Sequence, residues 1–294
     1  MSAIKTTSVI LITGAASGIG RALALNAHAR GHIVYATDRD TAALADLAAL
    51  GLRTQRLDVT SATDIAELVA RLNADGTGPD VLINNAGFGA IAPVLEIAPE
   101  RLRAQFEVNV FAIVSLCQAL APRMIARRQG RIVNIGSISG LVTTPFAGAY
   151  CASKAALHAL SDALRMELKP FGIRMITVQP GGIRSDFGAA AAQAASAGLR
   201  ADSRYAPVAD GILARADASQ EGAMSAEDFA ERMLTEVLAE RPRSVVRFGR
   251  RSTLLPLAKQ LVPTDFLDAR LSREFGLGRL VATNSTHTPQ GEEK

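Results

Sequence analysis

Val9-Ile10-Leu11-Ile12-Thr13-Gly14-Ala15-Ala16-Ser17-Gly18-Ile19-Gly20 is the stretch on which the reading of this chain turns. Its first four residues form an unbroken apolar run, which reads as a strand covered on both faces. A glycine-rich turn follows directly, then a helix-like stretch from Arg21 to Arg30. Strand, glycine turn and helix in that order form the context in which a dinucleotide is held. Gly14 permits the tight turn, Gly18 lets backbone approach a pyrophosphate, and Gly20 lets the helix pack against the strand, with the helix N-terminus facing the anion. The spacing is GxxxGxG rather than GxGxxG, so the loop by itself leaves a plain tight connection open.

A nucleotide site makes a further demand, an acidic residue about 20 positions on that holds the adenosine ribose. A second strand-like run, Ile33 to Thr37, ends at Asp38. Its carboxylate accepts from a 2′-hydroxyl and repels a 2′-phosphate, which favours NAD(H); the adjacent Arg39 can pair with that phosphate and leaves NADP(H) open. Five more strand-like runs follow, at Thr54 to Leu57, Val81 to Ile83, Ile132 to Ile135, Ile173 to Val178 and Ser244 to Phe248. Seven runs alternating with helix-like stretches predict an α/β fold of Rossmann type: a doubly wound, seven-stranded parallel sheet with helices on both faces. A length of 294 residues with 48% hydrophobic content suffices for one such domain.

The reactive groups lie farther along, in Ala149-Tyr150-Cys151-Ala152-Ser153-Lys154. A spacing of four puts the phenol and the ammonium on one face of a helix. Tyrosine titrates at about 10, so proton transfer near neutrality needs roughly three units of depression, about 4 kcal/mol, part of which a neighbouring cation supplies. Ser137 stands thirteen residues upstream, at the end of a strand-like run. A Tyr-x-x-x-Lys pair arises by chance in about one chain of this composition in twenty, so its weight comes from its company.

With these residues together, the chain resembles the short-chain dehydrogenase/reductase family, over Val9 to about Gly249. The resemblance also rests on Leu57-Asp58-Val59, Asn84-Asn85-Ala86-Gly87, Asn109 within a helix-like stretch from Arg101 to Arg127, and Pro180-Gly181-Gly182-Ile183, all in the family's order. It implies cofactor contacts from Gly14, Ser17, Gly18, Ile19 and Gly20, from Asp38 and Arg39 at the ribose, and from Asp58 and Val59 at the adenine. Asn85, Ala86 and Gly87 border the cofactor, Tyr150 and Lys154 meet its nicotinamide ribose end, and Pro180, Gly181 and Ile183 contact the nicotinamide. It implies catalytic roles for Asn109, Ser137, Tyr150 and Lys154. Tyr150 is then the general acid or base, its pKa lowered by Lys154 and by the oxidised nicotinamide. Ser137 fixes the substrate oxygen, and Asn109 stabilises a bend or a water that returns protons to solvent.

The expected activity is NAD(P)-dependent interconversion of a secondary alcohol and a ketone. An alanine-rich stretch, Gly188 to Ala197, lies within residues 182–225, which the resemblance implies form a substrate-covering lid, and offers few charges to a polar substrate, so an apolar, steroid-, retinoid- or lipid-like molecule is expected. A 3-oxoacyl-thioester reductase and a non-catalytic dinucleotide-sensing scaffold are the alternatives. Ser225 reads as the N-cap of an amphipathic helix to about Glu240. Beyond Gly249, residues 250–280 show helical spacing (Leu254, Leu257, Leu261, Leu271, Phe275), an extension like that of family members acting on lipophilic alcohols. Residues 241–279 hold nine basic and three acidic side chains, against 22 and 23 in residues 1–240. This local positive charge favours either a soluble helical cap or a peripheral contact with an anionic membrane surface.

The remaining signals exclude classes. Residues 281–294 read as a disordered tail. No apolar leader opens the chain and no uninterrupted apolar stretch approaches 18 residues, so a cytoplasmic protein is expected. Cys117 and Cys151 read as packed thiols, and His28 and His32 lack the carboxylates of a metal site, so no metal is expected. Aromatic residues make up only 4% of the chain, too few for the stacking platforms of nucleic-acid binding. A homo-oligomer, dimer or tetramer, is expected from the resemblance.

Overall fold

The computed structural model describes residues 7–200 and 202–280. The tail read as disordered, 281–294, and the first six residues lie outside the described residues.

Seven strands, β1 (Val9–Thr13), β2 (Ile33–Asp38), β3 (Arg53–Arg56), β4 (Val81–Asn84), β5 (Gly130–Ile135), β6 (Ile173–Val178) and β7 (Val245–Val246), form one sheet in the order β3-β2-β1-β4-β5-β6-β7. Every pairing is parallel. The period of two along each strand splits the core. Ile10 and Ile12 of β1 face one side with Ile83, Val133 and Val178, against Leu23 of α1 (Gly18–Ala29) and Phe229, Met233 and Val237 of α9 (Ala226–Leu238). Leu11 faces the other side with Leu82, Ile132 and Met175, against α3 (Ala62–Ala74), α5 (Ala112–Ala126) and α6 (Gly148–Leu168). Chain order reverses direction between β1 and β4, which opens a crevice at their carboxyl ends.

Two local departures from the sequence reading carry physical reasons. The helix read over Arg101 to Arg127 runs as α4 (Pro99–Phe106), a π-helical segment Glu107–Phe111, and α5. Asn109 sits in that bulge, which rotates its amide inward to bond the Phe88 backbone. By length and composition Pro99–Ala126 is also the one helix among the described residues apolar enough to cross a membrane. Its apolar stripe, Leu116, Leu120 and Met124, is instead buried against the sheet.

The mixed sequence after the alanine-rich stretch folds as a helix too: α7 (Asp186–Gly198) is followed by α8 (Ala209–Asp217). Small residues let these two approach closely, and Ala191, Ala195, Ile212 and Ala216 form a third cluster. The extension is α10 (Leu254–Leu261) and α11 (Thr264–Glu274), with α2 (Ala45–Ala49) completing the helices named here. Leu271 and Phe275 pack into the α7–α8 cluster. A Cβ on Gly211 would lie 2.1 Å from the Phe275 carbonyl oxygen, so only glycine lets the extension dock this closely. Ser225 caps α9, accepting from the Asp228 amide.

Candidate active site

The glycine turn is shaped from beneath. Thr13 Oγ1 accepts from the Asn85 amide (3.1 Å) and the Ala86 amide (3.0 Å), and Asn85 Nδ2 donates back to the carbonyls of Thr13 (2.9 Å) and Gly14 (3.0 Å). This clamp ties the end of β1 to the end of β4. Gly14 and Gly18 adopt φ of +68° and +52°, which side chains other than glycine's resist. The Ser17 side chain makes no capping bond to α1, and no acid stands in the first turn. The free amides of that turn therefore face the crevice, as an anion requires.

Asp38, at the end of β2, accepts from the Ala16 amide (3.1 Å) and the Asp40 amide (3.1 Å). Its carboxylate is thereby fixed against the turn. Asp58 accepts from the Thr60 amide (2.9 Å) and hydroxyl (2.7 Å), which hold its pKa below the usual carboxylate range, with a smaller pull from the charge of Arg39. These observations fit a dinucleotide: a bare turn for the pyrophosphate, a fixed acid for a ribose, and a rim of mixed charge.

Across the sheet, Asn84 Nδ2 donates to Asn134 Oδ1 (2.8 Å), and Asn134 Nδ2 to Ser161 Oγ (2.9 Å), a buried polar chain from β4 through β5 to α6. It sets the height of α6 against the strands. Lys154 Nζ donates to the Ile135 carbonyl (2.7 Å) and lies 5.9 Å from the centre of the Tyr150 ring. Ser137 follows β5; its hydroxyl accepts from the Ser139 amide (3.0 Å) and its amide faces His158 Nε2 (3.4 Å). His158 stands one turn beyond Lys154 on the same face of α6, and burial pushes its imidazole down to about 4, so it stays neutral. Asn109 Nδ2 donates to the Phe88 carbonyl (3.0 Å) and to Ser153 Oγ (3.2 Å), joining the bulge, the loop after β4 and α6.

The electrostatics differ from the expected depression of Tyr150. Burial pushes its phenol up to about 12; the Ser137 hydroxyl and the charge of Arg215 pull the other way and do not prevail. Lys154 is itself brought down to about 8 by burial, and its ammonium donates to a backbone carbonyl. Within the protein alone, desolvation outweighs the neighbouring cation. Both thiols are inert for the same reason: burial takes Cys117 up to about 12 and raises Cys151.

One cavity of about 860 Å³ gathers nearly all the residues read from the sequence. Gly14, Ser17, Gly18 and Ile19 line it, as do Asp38, Arg39, Asp58 and Val59, then Asn85, Ala86 and Gly87, and finally Ser137, Tyr150, Lys154, Pro180, Gly181 and Ile183. Gly20 and Asn109 are not on its wall. Gly20 is buried under the turn, where a Cβ would lie 2.0 Å from the Gly14 carbonyl oxygen. Asn109 is fully buried and acts through Phe88 and Ser153.

Three residues of the site escaped the sequence reading. The Phe187 ring, on the lid helix α7, lies 5.5 Å from the Tyr150 ring; Gly89 leaves the space, since a Cβ there would meet Phe187 at 2.8 Å. Arg215, on α8, reaches the same cavity from 61 residues beyond Lys154. His158 alone had a readable signal, its spacing of four from Lys154.

Comparison with known proteins follows the same outline. Residues 8–196 match the short chain dehydrogenase family. The chain is 39% identical over 180 residues to a 3-ketodihydrosphingosine reductase of Bacteroides thetaiotaomicron, a stretch covering 61% of this chain and 65% of that one. A solved short-chain dehydrogenase from Streptomyces avermitilis superposes with a TM-score of 0.75 at 32% identity, covering 93% of this chain and 98% of that one. A short-chain dehydrogenase/reductase from Burkholderia phymatum in complex with NAD gives a TM-score of 0.73 at 26% identity over 98% of each chain.

Proposed function

Because this chain belongs to the short-chain dehydrogenase/reductase family, we propose that it interconverts a secondary alcohol and a ketone on a largely apolar, lipid-like substrate, with NAD(H) as the preferred cofactor. The observation that carries this reading is the convergence of Ser137, Tyr150 and Lys154 on the cavity that the glycine turn also lines. A bound nicotinamide dinucleotide supplies the hydride chemistry.

The chain's own residues do the rest. The amides of the Gly14–Gly20 turn hold the pyrophosphate, and Asp38 takes the ribose hydroxyls. Ser137 donates a hydrogen bond to the substrate oxygen, and Tyr150 gives that oxygen its proton on reduction or removes it on oxidation. Lys154, anchored by Ile135, is placed to hold the second ribose. Phe187 and the alanine face of α7 keep water from the reacting carbon. The lipid-like class draws support from the apolar lid and from the resemblance to a reductase of a long-chain keto compound. The thioester-reductase alternative uses the same three residues, and a sensing scaffold has no use for them.

A panel of alcohols and ketones, followed at the reduced-nicotinamide absorbance with both cofactors, tests the reading. KM for NADH should be at least about tenfold below KM for NADPH, since a 2′-phosphate beside a fixed carboxylate costs more than about 1.4 kcal/mol. Asp38→Ser should narrow that gap. A lower KM for NADPH in the wild type would refute the preference, and turnover of short acyl-thioesters with none of lipophilic ketones would favour the alternative.

The extension invites a second proposal, carried by Leu254, Leu261 and Phe266, which are 67%, 73% and 68% exposed among basic residues. It is a peripheral contact with an anionic lipid surface. Co-sedimentation with phosphatidylserine vesicles that weakens as salt rises is the expected result; no binding at low salt removes this reading.

A further inference from the structure

Arg215 is a cation in an unexpected place. It is 9% exposed, stands on α8, and lines the cavity close enough to Tyr150 for its charge to act on the phenol. Ala190, Ala191, Ala194, Ala216 and Ala218 of the lid line the same cavity. The Arg215 Nε donates to Thr144 Oγ1, a neutral partner that aims the planar fork. No carboxylate lies within ion-pair distance of it among the described residues. Glu274, whose charge reaches Arg215 from farther off, is shared by Arg251 at 3.8 Å and Arg270 at 4.0 Å.

Burial pulls Arg215 below its usual range, and the more distant charge of Glu274 offsets this only in part. Arg131 shows how the fold compensates elsewhere: also buried, it donates to the Val237 carbonyl at the negative end of α9. Among the described residues Arg215 meets the Thr144 hydroxyl and the weak Cys151 thiol, which leaves N–H donors of its fork for the cavity. A purely structural position of this kind would be served as well by leucine. In the same cavity, Phe187, Ala191, Leu271 and Phe275 supply apolar wall.

We propose that the substrate is an amphiphile whose anionic oxygen group, a carboxylate or a phosphate, pairs with Arg215 a few bonds from the carbon that Tyr150 serves, while its apolar body lies along α7 and α11. This inference rests on the oxidoreductase reading and narrows its substrate class. Arginine presents two parallel N–H bonds to either anion, which is the geometry such recognition uses.

Matched pairs test it: 3-oxo-octanoate against its methyl ester, and an alkyl ketone phosphate monoester against the same compound without phosphate. Both kcat/KM and calorimetric affinity are measured for each. In the wild type the anionic member of at least one pair should be favoured about 100-fold. Whichever pair shows it identifies carboxylate or phosphate. In Arg215→Met that ratio should fall to near one, and Arg215→Lys should restore part of it. A wild-type ratio near one for both pairs, or a ratio unchanged in Arg215→Met, overturns the proposal. If Arg215→Met does not fold, the wild-type ratios decide alone. Charge-selective binding without turnover of any pair would sustain the anion site and sink the oxidoreductase reading, whereas turnover blind to charge would do the reverse.

Discussion

Tyr150→Phe should lower turnover by about 10³-fold, within the range that a positioned general acid or base contributes, while affinity for the dinucleotide stays within about twofold. Phenylalanine keeps the ring, its contact with Phe187 and the packing of α6, and removes only the proton carrier. The wild-type pH profile should show which direction that carrier favours. Burial holds the phenol at about 12, so bringing it to pH 7 would take about five units, or about 7 kcal/mol. Near neutrality Tyr150 therefore carries its proton and is ready to donate it, which suits ketone reduction. Alcohol oxidation needs the phenolate, so its rate should climb with pH from 6 to 10, and Tyr150→Phe should flatten that climb. Steady-state rates in both directions, with fluorescence titration of the cofactor, give all three quantities. Near-normal turnover in the variant removes Tyr150 from the mechanism.

Gly20→Ala should have the largest effect on the scaffold. The new Cβ would stand 2.0 Å from the Gly14 carbonyl oxygen and 2.5 Å from Asn85 Nδ2. Neither neighbour can yield cheaply, because the two are hydrogen-bonded to each other at 3.0 Å and Asn85 also holds Thr13. Either α1 moves off the turn or that bond breaks. Overpacking costs about 1–3 kcal/mol and a stranded buried amide about as much again. A fall in Tm of about 10 °C is expected, with at least 100-fold weaker cofactor binding, since the α1 amides no longer converge. Gly278→Ala, where a Cβ meets nothing within 4 Å, is the control and should change neither. A Gly20→Ala protein with unchanged Tm and cofactor affinity would show that the turn tolerates what its geometry forbids.

Different parts of the molecule were legible to different degrees. The strands were readable because a parallel strand covered on both faces is apolar at nearly every position, as in Val9–Thr13 and Ile173–Val178. The glycine turn and the Tyr150–Lys154 pair were readable because their geometry is local: one is a positive-φ turn, the other a single helical turn. The π-helical bulge at Glu107–Phe111 was not, since nothing in Glu107-Val108-Asn109-Val110-Phe111 breaks a helical pattern. It is set by the Phe88 loop, 21 residues away, which accepts from and donates to Asn109.

Sequence alone thus determined the sheet, the family resemblance and the glycine-turn and Tyr150–Lys154 walls of the cavity, because each depends on neighbours within a few positions. Tertiary structure decided the surroundings of the Tyr150 phenol, the placement of the Phe187 ring beside it and the arrival of Arg215. Solvation and charge depend on what is near in space, and a guanidinium contributed by α8 leaves no mark in the residues around Tyr150. The sequence reading had the phenol drawn down by Lys154 together with the oxidised nicotinamide; in the protein alone, burial outweighs the neighbouring groups.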